Sequence, residues 1–171
     1  DHERVAYIDL DAHQGNGVSH AFLQDSRVFM FDVFNGTIYP SDAEAKARVD
    51  CPVSLTGSCT EREYLDVVGS KLPGFLDSAG SSHPIGLAIY NAGTDVYEHD
   101  ALGGLHMTAR GIAARDAFVV AELRARGIPT AMLLSGGYSP QSYRIISDSL
   151  IDLIGEPRLA SPRTDRLVVA P

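Results

Sequence analysis

The sequence predicts an α/β fold in which a parallel sheet carries helices on both faces. Four short apolar runs, rich in aromatic and β-branched residues, alternate with segments that have helical periodicity. Strands that alternate with helices are joined by crossovers, which make neighbouring strands parallel and place helices over the sheet. The chain has 171 residues, of which 44% are hydrophobic and 21% charged, enough for one domain with a buried core.

Each of the four apolar runs is predicted to form a buried strand. Together they are rich in Val, Ile, Leu, Phe and Tyr, residues that pack well on a pleated surface. Near-continuous apolar runs lack the polar alternation of a half-exposed strand, so both faces of the sheet are expected to be covered. The predicted strands are Val5–Leu10, Val28–Phe34, Ile85–Tyr90 and Thr130–Leu134.

The first predicted helix begins at a capping box. Thr60 and Glu63 have the spacing at which each side chain can accept a hydrogen bond from the backbone N–H of the other. Pro73 has no backbone N–H and crowds the preceding turn, so it is expected to kink or end this helix. The apolar residues after the cap fall on one helical face: Leu65, Val68, Leu72 and Leu76.

Two further helices are predicted in the second half of the chain. One follows Thr108 and is closed by Gly127 and Pro129. The other opens with Pro140 as its first helical residue and stops at Gly155. The residues expected to face inward are Ile112, Val119 and Leu123 in the first of these helices, and Ile146, Leu150, Leu153 and Ile154 in the second.

The composition excludes several classes of partner. The formal net charge is −8 and the 14 basic residues are scattered, so the surface should repel phosphate backbones and no direct nucleic-acid binding is expected. No run reaches the roughly 18 apolar residues of a membrane span, and no leader opens the chain, so neither membrane insertion nor secretion is expected. Cys51 and Cys59 form no metal or redox motif and fit a reducing compartment: the cytoplasm of a bacterium, or the nucleus or cytoplasm of a eukaryote.

The first predicted strand runs into the polar sequence DLDAHQGNG, residues 9–17. Alternate side chains of an extended chain share a face, so Asp9, Asp11 and His13 should project the same way if the extended geometry persists. A carboxylate and an imidazole two residues apart can bind one divalent cation. A strand followed by a polar turn and a helix cap would also fit these residues, so the motif alone leaves both interpretations open.

Two other strand ends carry matching chemistry, YNAGTD after the third strand and SGGY after the fourth. Ligands of parallel α/β sheets bind at the carboxyl ends of the strands. Asp95 would complete a site with Asp11 and His13, a ligand set that suits zinc with a fourth position open. The phenol of Tyr138 would donate a hydrogen bond to an oxyanion beside the metal. Taken singly, Asp95 could cap the next segment and Tyr138 could be a packing residue, but their joint occurrence favours a metal site.

In this order, DLDAHQGNG, YNAGTD followed by LGGL (Leu102–Leu105), and SGGY resemble the second half of the histone deacetylase catalytic domain. FDVFNGTIYP at residues 31–40, together with Asn91 and LGGL, points to the class IV branch. The resemblance runs from about Val5 to about Gly155. It implies a three-layer arginase/deacetylase-like fold, hydrolysis of ε-acyl-lysine in a protein or peptide, a zinc cofactor, and structural K⁺ or Na⁺ ions.

Carried over by position, the resemblance assigns the catalytic centre. It makes Asp11, His13 and Asp95 the zinc ligands. It makes Tyr138 the residue that polarises the substrate carbonyl and stabilises the tetrahedral oxyanion. It makes Asp9 the buried carboxylate that orients a catalytic histidine.

The resemblance also implies two sites for monovalent cations. Asp9 would help to bind the first cation, with Asp32 at a position where related enzymes carry Ser. The backbone carbonyls that would share this cation are those of Asp9, Asp11 and His13. The backbone ligands of the second site align with Phe22, Asp25 and Val28.

Other positions correspond to substrate contacts of the family. Tyr39 and Leu102 are predicted to be walls of the acyl-lysine tunnel, and Gly136 and Gly137 are predicted to bind substrate. Asn16 stands where class I enzymes have a second orienting Asp, and it is predicted to take part in catalysis.

The family's tandem histidine pair, the general base and its partner, is missing upstream of the DLD strand. The sequence has six histidines, none of them adjacent, and only His13 lies in a family motif. Residues 1–155 are therefore interpreted as the C-terminal half of a deacetylase domain, apparently incomplete at its N-terminus, and residues 156–171 as a loosely ordered tail. The general base would come from a missing N-terminal half or from a partner chain, and this chain alone would have little or no deacylase activity.

Two other functions remain open. DLDAH after an apolar strand also resembles the DxD motif of haloacid-dehalogenase-type phosphatases, which bind magnesium. That family has Thr or Val where His13 stands, and its small hydroxyl residue precedes its final acidic one, whereas Ser135 follows Asp95. The chain could also be a non-catalytic metal- or acyl-lysine-binding module that needs a partner chain. Stoichiometric zinc would favour the deacylase, and magnesium-dependent phosphatase activity would favour the rival.

Overall fold

The computed structural model describes residues 4–155, which form a five-stranded parallel sheet flanked by five helices. The strands are β1 (Val5–Asp9), β2 (Val28–Asn35), β3 (Cys51–Leu55), β4 (Leu87–Asn91) and β5 (Thr130–Leu133). The helices are α1 (Asn16–Ala21), α2 (Ala43–Arg48), α3 (Glu61–Ala79), α4 (Ala109–Ala125) and α5 (Ser142–Ile154). The strand order is β3-β2-β1-β4-β5, so the carboxyl ends of β1, β4 and β5 lie side by side.

The side chains of β1 show that the sheet is covered on both faces. Ala6 and Ile8 belong to a large core that includes residues of α3 and α4, whereas Val5 and Tyr7 pack near Val18 of α1. Successive side chains of a strand point to opposite faces, so α3 and α4 lie on one side of the sheet and α1 and α2 on the other. The predicted α/β fold with helices on both faces is therefore confirmed.

The four predicted strands are present, with ends that differ by one or two residues. β1 ends at Asp9 instead of Leu10, and β4 begins at Leu87 instead of Ile85. Strand β3 was not predicted from the sequence, because Pro52 and Ser54 interrupt its apolar pattern. β3 lies at an edge of the described sheet, where the missing N–H of a proline costs no ladder hydrogen bond.

Helix α3 begins at the predicted capping box, with Thr60 and Glu63 each bonded to the backbone of the other. Of the two effects predicted for Pro73, a kink or an end of the helix, the end is wrong, because the helix continues to Ala79. Leu72 and Leu76 are buried on either side of the proline. Burial of one leucine side chain contributes about 1.5–3 kcal/mol. The two leucines together therefore offset the roughly 3 kcal/mol cost of a proline inside a helix.

The inward face of α5 differs from the predicted one. Ile154 is exposed, and the helix begins two residues after Pro140 instead of at it. The buried residues of this helix are Ser142, Ile145 and Ser149. Because two of the three are serines, a search for apolar periodicity does not identify this face. The predicted end is confirmed, because Gly155 adopts the left-handed conformation of a C-cap.

The predicted inward stripe of α4 is confirmed, because Ile112, Val119 and Leu123 are all buried. Thr108 caps this helix by accepting a hydrogen bond from the N–H of Gly111. Across residues 4–155, none of the helices combines the length and the apolar character that a bilayer crossing requires. The tail predicted at residues 156–171 lies outside the described residues.

Candidate metal centre

Asp11, His13 and Asp95 meet where β1 and β4 end. Each offers one ligand atom, and these atoms all lie within 4.8 Å of one another. Nδ1 of His13 is 2.8 Å from Oδ2 of Asp95 and 3.2 Å from Oδ1 of Asp11. These three residues are the ligand set predicted from the sequence, and the structure brings them together.

The chain does not stay extended along the DLDAH motif, as the alternation argument required. The strand ends at Asp9 and the backbone bends at residues 11–13. Asp11 and His13 turn toward Asp95, whereas Asp9 stays outside this group. The bend is held by backbone amides: the N–H of His13 donates to Oδ1 of Asp11 at 2.9 Å, and the N–H of Ala12 donates to Oδ1 of Asp95 at 2.8 Å.

Two glycines let three loops approach this closely. A Cβ on Gly93 would lie 2.6 Å from Cα of Asp11, a distance that real Cβ atoms do not reach. Gly136 has a φ of +52°, a left-handed backbone conformation that residues with a Cβ rarely adopt. A Cβ at this position would also lie only 2.9 Å from Cγ of Asp95. Gly93 of NAGTD and Gly136 of SGGY are therefore required by the close spacing of Asp11 and Asp95.

The electrostatics of the three side chains favour a bound cation. Burial, together with the charge of Asp11, raises the pKa of Asp95 to about 7. Partial burial lowers the pKa of His13, but hydrogen bonds and charges of Asp95 and Asp11 outweigh it, so its pKa is raised. Two adjacent carboxylates without a counter-charge repel each other, and a divalent cation that takes both oxygen and nitrogen ligands would offset that repulsion.

Asp9 and Asp32 form a second acidic pair, next to the three predicted ligands. They are register partners on β1 and β2, and both are buried. Oδ1 of Asp9 accepts from Nδ2 of Asn91 at 2.8 Å, and Oδ2 of Asp32 accepts from the N–H of Gly15 at 3.0 Å. Burial raises the pKa of both carboxyls, that of Asp32 to about 7. Oδ1 of Asp32 has no hydrogen-bond partner in the described residues, which fits the predicted monovalent cation.

The second predicted cation does not fit the structure. The carbonyl oxygens of Phe22, Asp25 and Val28 do converge, but on the guanidinium of Arg48. Nε of Arg48 donates to the carbonyl of Phe22 at 2.8 Å. Nη2 donates to the carbonyls of Asp25 at 2.9 Å and of Val28 at 2.6 Å. A side chain of this protein therefore supplies the positive charge at this site.

Arg48→Ala should lower the free energy of unfolding by about 2–3 kcal/mol, because three carbonyls lose a charged donor. The vacated carbonyls should then bind K⁺, so the Tm of this variant should rise with KCl more than with tetramethylammonium chloride at equal ionic strength. Thermal unfolding of the wild type and the variant in both salts measures this. Arg27→Ala is the control, because it removes only an exposed ion pair with Asp25. If the Tm of Arg48→Ala is no lower than that of the control, Arg48 does not stabilise the three carbonyls, and its role in place of a cation is wrong.

Tyr138 lines the same cavity as Asp11 and His13, two of the three predicted ligands. The cavity is open, has a volume of about 350 Å³, and is lined among others by Asp9, Asp11, His13, Asn16, Gly136 and Tyr138. The ring of Tyr138 meets the ring of His13 edge-on, with centroids 6.1 Å apart. Tyr138 is 55% exposed, so its phenol is accessible to a substrate. Burial and the charges of Asp11, Asp95 and Asp100 raise its pKa, so the phenol keeps its proton at neutral pH.

The other predicted substrate residues lie further out. Tyr39 and Leu102 are 81% and 53% exposed, and neither they nor Gly137 line the cavity. Asn16 lines the cavity, but its side chain also hydrogen-bonds to Asp42. The tunnel and catalytic roles of these residues stay predictions.

Sequence reasoning missed Asp100, which joins two loops of the site. Its Oδ1 accepts from the N–H groups of Leu102 and Gly103 at 2.9 and 3.2 Å. Its Oδ2 accepts from the N–H groups of Tyr138 and Ser139 at 2.6 and 3.1 Å. The only sequence signal is an Asp in a glycine-rich loop, where Asx turns are common.

Comparison with known proteins decides the family. A family model described as the histone deacetylase domain matches residues 1–154. The chain belongs to the histone deacetylase family. Histone deacetylase 2 of Arabidopsis thaliana is 43% identical over 150 residues, which are 88% of this chain and 38% of that protein. Histone deacetylase B of Dictyostelium discoideum is 30% identical over 147 residues, 81% of this chain and 33% of that protein.

Solved structures show the same fold. An acetylpolyamine aminohydrolase from Burkholderia pseudomallei superimposes with a TM-score of 0.73 at 22% identity, over 86% of this chain and 44% of that one. The HD domain of HDA15 gives a TM-score of 0.72 at 21% identity, over 90% of this chain and 45% of that one. This histone deacetylase-family chain thus spans less than half the length of the relatives and structures compared here. The deacetylase-like α/β fold predicted from the motifs is confirmed.

Proposed function

We propose that this chain forms the metal-binding half of a zinc-dependent deacylase that hydrolyses ε-acyl-lysine in a protein or peptide. The observation that carries the proposal is the convergence of Asp11, His13 and Asp95, beside a cavity that Asp11, His13 and Tyr138 line. Two carboxylates and one imidazole form a ligand set of catalytic zinc sites, which keep a fourth position for water or substrate. The class IV branch, indicated by the sequence motifs, is part of the proposal.

Asp11, His13 and Asp95 would hold the zinc ion. When bound, zinc supplies Lewis acidity toward the acyl carbonyl and lowers the pKa of a water molecule toward neutrality. The ligands are fixed in advance, because the amides of Ala12 and His13 already orient both carboxylates. Ligand atoms that need no rearrangement bind a metal at a lower entropic cost.

Tyr138 would stabilise the negative charge that develops on the acyl oxygen. Its phenol is protonated and accessible, and Asp100 holds its backbone beside the cavity, so the phenol can donate a hydrogen bond to an acyl oxygen bound there. A donor placed in advance needs no reorganisation when charge develops, which is why such groups contribute strongly to rate.

Asp9 would orient the catalytic histidine and, with Asp32, bind a structural K⁺ or Na⁺ ion. The buried Oδ1 of Asp32 that lacks a partner supports this cation. Asn91 ties Asp9 to the SGGY loop, since its amide donates to Asp9 and its oxygen accepts from the hydroxyl of Ser135. A carboxylate held in this way keeps its orientation when a partner group binds.

The general base would come from a polypeptide segment outside residues 4–155, either an N-terminal half of the domain or a partner chain. In the described part of the chain, only His13 among the histidines lines the cavity. The outer edge of β5 pairs with no strand there, and Leu133 and Leu134 beside it are 44% and 52% exposed. An exposed apolar edge of this kind is typical of a surface that another segment covers.

The phosphatase alternative has less support. Nδ1 of His13 faces both candidate carboxylate ligands, whereas magnesium prefers an all-oxygen site. A binding module without catalysis would have the same metal cluster, and it differs from the deacylase only in needing no base.

The test is hydrolysis of acyl-lysine peptides by the protein expressed from its complete gene, with acetyl and long fatty acyl groups compared. We expect turnover that a chelator abolishes and zinc restores, with one equivalent of zinc bound per chain. The isolated 171-residue chain should bind zinc but show little or no turnover. Robust turnover by the isolated chain contradicts the requirement for an external base. Magnesium-dependent phosphatase activity without zinc binding overturns the proposed function.

A further inference from the structure

Arg115 is a buried arginine on α4, with no exposed surface. Its Nη1 donates two hydrogen bonds, to the carbonyl of Leu10 at 3.0 Å and to the carbonyl of Gly93 at 2.9 Å. Leu10 immediately precedes Asp11, and Gly93 lies two residues before Asp95. One side chain therefore binds the backbone of both loops that carry the carboxylate ligands.

These two carbonyls lie just past the end of the sheet. The ladder between β1 and β4 ends with the pair Asp9 and Asn91, and one more backbone bond joins the N–H of Leu10 to Asn91. Beyond this point, no backbone hydrogen bond joins the two segments in the described part of the chain. Arg115 supplies hydrogen bonds where the strands no longer supply them to each other.

The charge of Arg115 is balanced within the core. Its Nε and Nη2 each lie 2.9 Å from Oδ1 of Asp116. Asp116 also accepts hydrogen bonds from the hydroxyls of Tyr90 at 2.5 Å and Ser149 at 2.6 Å. The network thus connects the ligand loops to β4 and α5.

Stability alone does not account for this arrangement. Burying two charges costs several kcal/mol of desolvation each, and apolar residues of similar volume often stabilise a core as well or better. The directions of the Arg115 donors point to another role, because they reach the two loops whose separation fixes the distance between Asp11 and Asp95.

We propose that Arg115 is a positioning residue that sets the spacing of the two carboxylate ligands, with Asp116 holding its guanidinium in place. This inference rests on the proposed function, since it concerns the same metal site. A planar guanidinium can bind two carbonyls and a carboxylate at once in fixed directions, and an ammonium cannot. Arg115→Lys should therefore keep the ion pair and the fold while it loosens the ligand loops.

The experiment measures zinc affinity, by chelator competition, and the Tm of the protein expressed from its complete gene. Arg115→Lys should weaken zinc binding by about 10- to 100-fold, the range typical of residues that orient metal ligands. It should lower kcat for an acyl-lysine peptide by a similar factor, even with zinc in excess. Arg126→Lys is the matched control: this arginine caps the same helix and pairs with Asp77 and Glu122 away from the site.

A second variant separates positioning from stability. Replacing the network with apolar residues (Arg115→Met, Asp116→Leu, Tyr90→Phe and Ser149→Ala together) should leave the protein folded, because removal of two buried charges offsets part of the loss of a donor to the carbonyls of Leu10 and Gly93, but it should weaken zinc binding at least as much. If a folded variant of either kind retains wild-type zinc affinity and kcat, the positioning role is wrong while the proposed function stands. If the wild type itself binds no zinc, the proposed function fails first.

Discussion

Tyr138→Phe is expected to lower the turnover of an acyl-lysine peptide by about a hundred- to a thousand-fold while zinc stays bound. That range is typical for the loss of one donor to a developing oxyanion. The substitution removes only the phenol hydroxyl, and the backbone bonds of residue 138 to Asp100 remain. The effect should therefore fall on kcat and not on KM, as for an interaction formed mainly in the transition state.

Steady-state kinetics and zinc content of the two proteins, both expressed from the complete gene, measure this effect. Tyr143→Phe is a suitable control, because Tyr143 is an exposed tyrosine of the neighbouring helix that does not line the cavity. Full activity in the Tyr138 variant would rule out its proposed role. A parallel loss of zinc would mean instead that Tyr138 supports the metal site.

Asp95→Asn should weaken zinc binding by more than a hundred-fold and abolish turnover with it. Outer residues that merely orient ligands already contribute 10- to 100-fold, and Asp95 is proposed to contact the ion directly. The amide has nearly the same shape and its oxygen can still accept from Ala12, so the loop should keep its conformation. Removing one negative charge should also relieve the repulsion between Asp95 and Asp11, so the metal-free variant should be at least as stable as the wild type.

Metal titration and thermal unfolding with and without zinc check this prediction. The wild type should gain stability on adding zinc, and the Asp95→Asn variant should not, because a ligand that binds only the folded state raises its stability. Asp66→Asn provides the control, since it removes an equally charged side chain from the exposed surface of α3. Equal zinc affinity in the Asp95 variant and the wild type would exclude Asp95 as a ligand.

The ligand set could be predicted from the sequence because its members directly follow apolar strands. The carboxyl ends of neighbouring parallel strands share one edge of the sheet, so Asp11, His13 and Asp95 had to lie near one another once the strands were recognised. The detailed reason was partly wrong, since the chain bends after Leu10 and Asp9 turns to Asp32. The prediction of the ligand set is therefore correct because of where the strands end, and not because alternate side chains share a face.

The two arginines could not be predicted in the same way. Arg48 and Arg115 appear in the sequence as ordinary charges of helical segments, yet both point inward and bind backbone carbonyls. Arg115 and Leu10 are 105 residues apart, so no local pattern connects them. The strand β3 was missed for a related reason, because an edge position that tolerates Pro52 is a property of the whole sheet.

Asp100 joins the backbones of two loops beside the predicted metal centre. Its carboxylate accepts hydrogen bonds from four backbone N–H groups, two in the loop that carries Leu102 and two in the loop that carries Tyr138. The two loops therefore share one hydrogen-bond acceptor, so a shift of either loop strains the hydrogen bonds that hold the other. If Leu102 contacts the acyl chain, as the sequence predicts, an acyl group that displaces Leu102 would also shift the backbone of Tyr138, and the length of the acyl group would then affect kcat as well as binding.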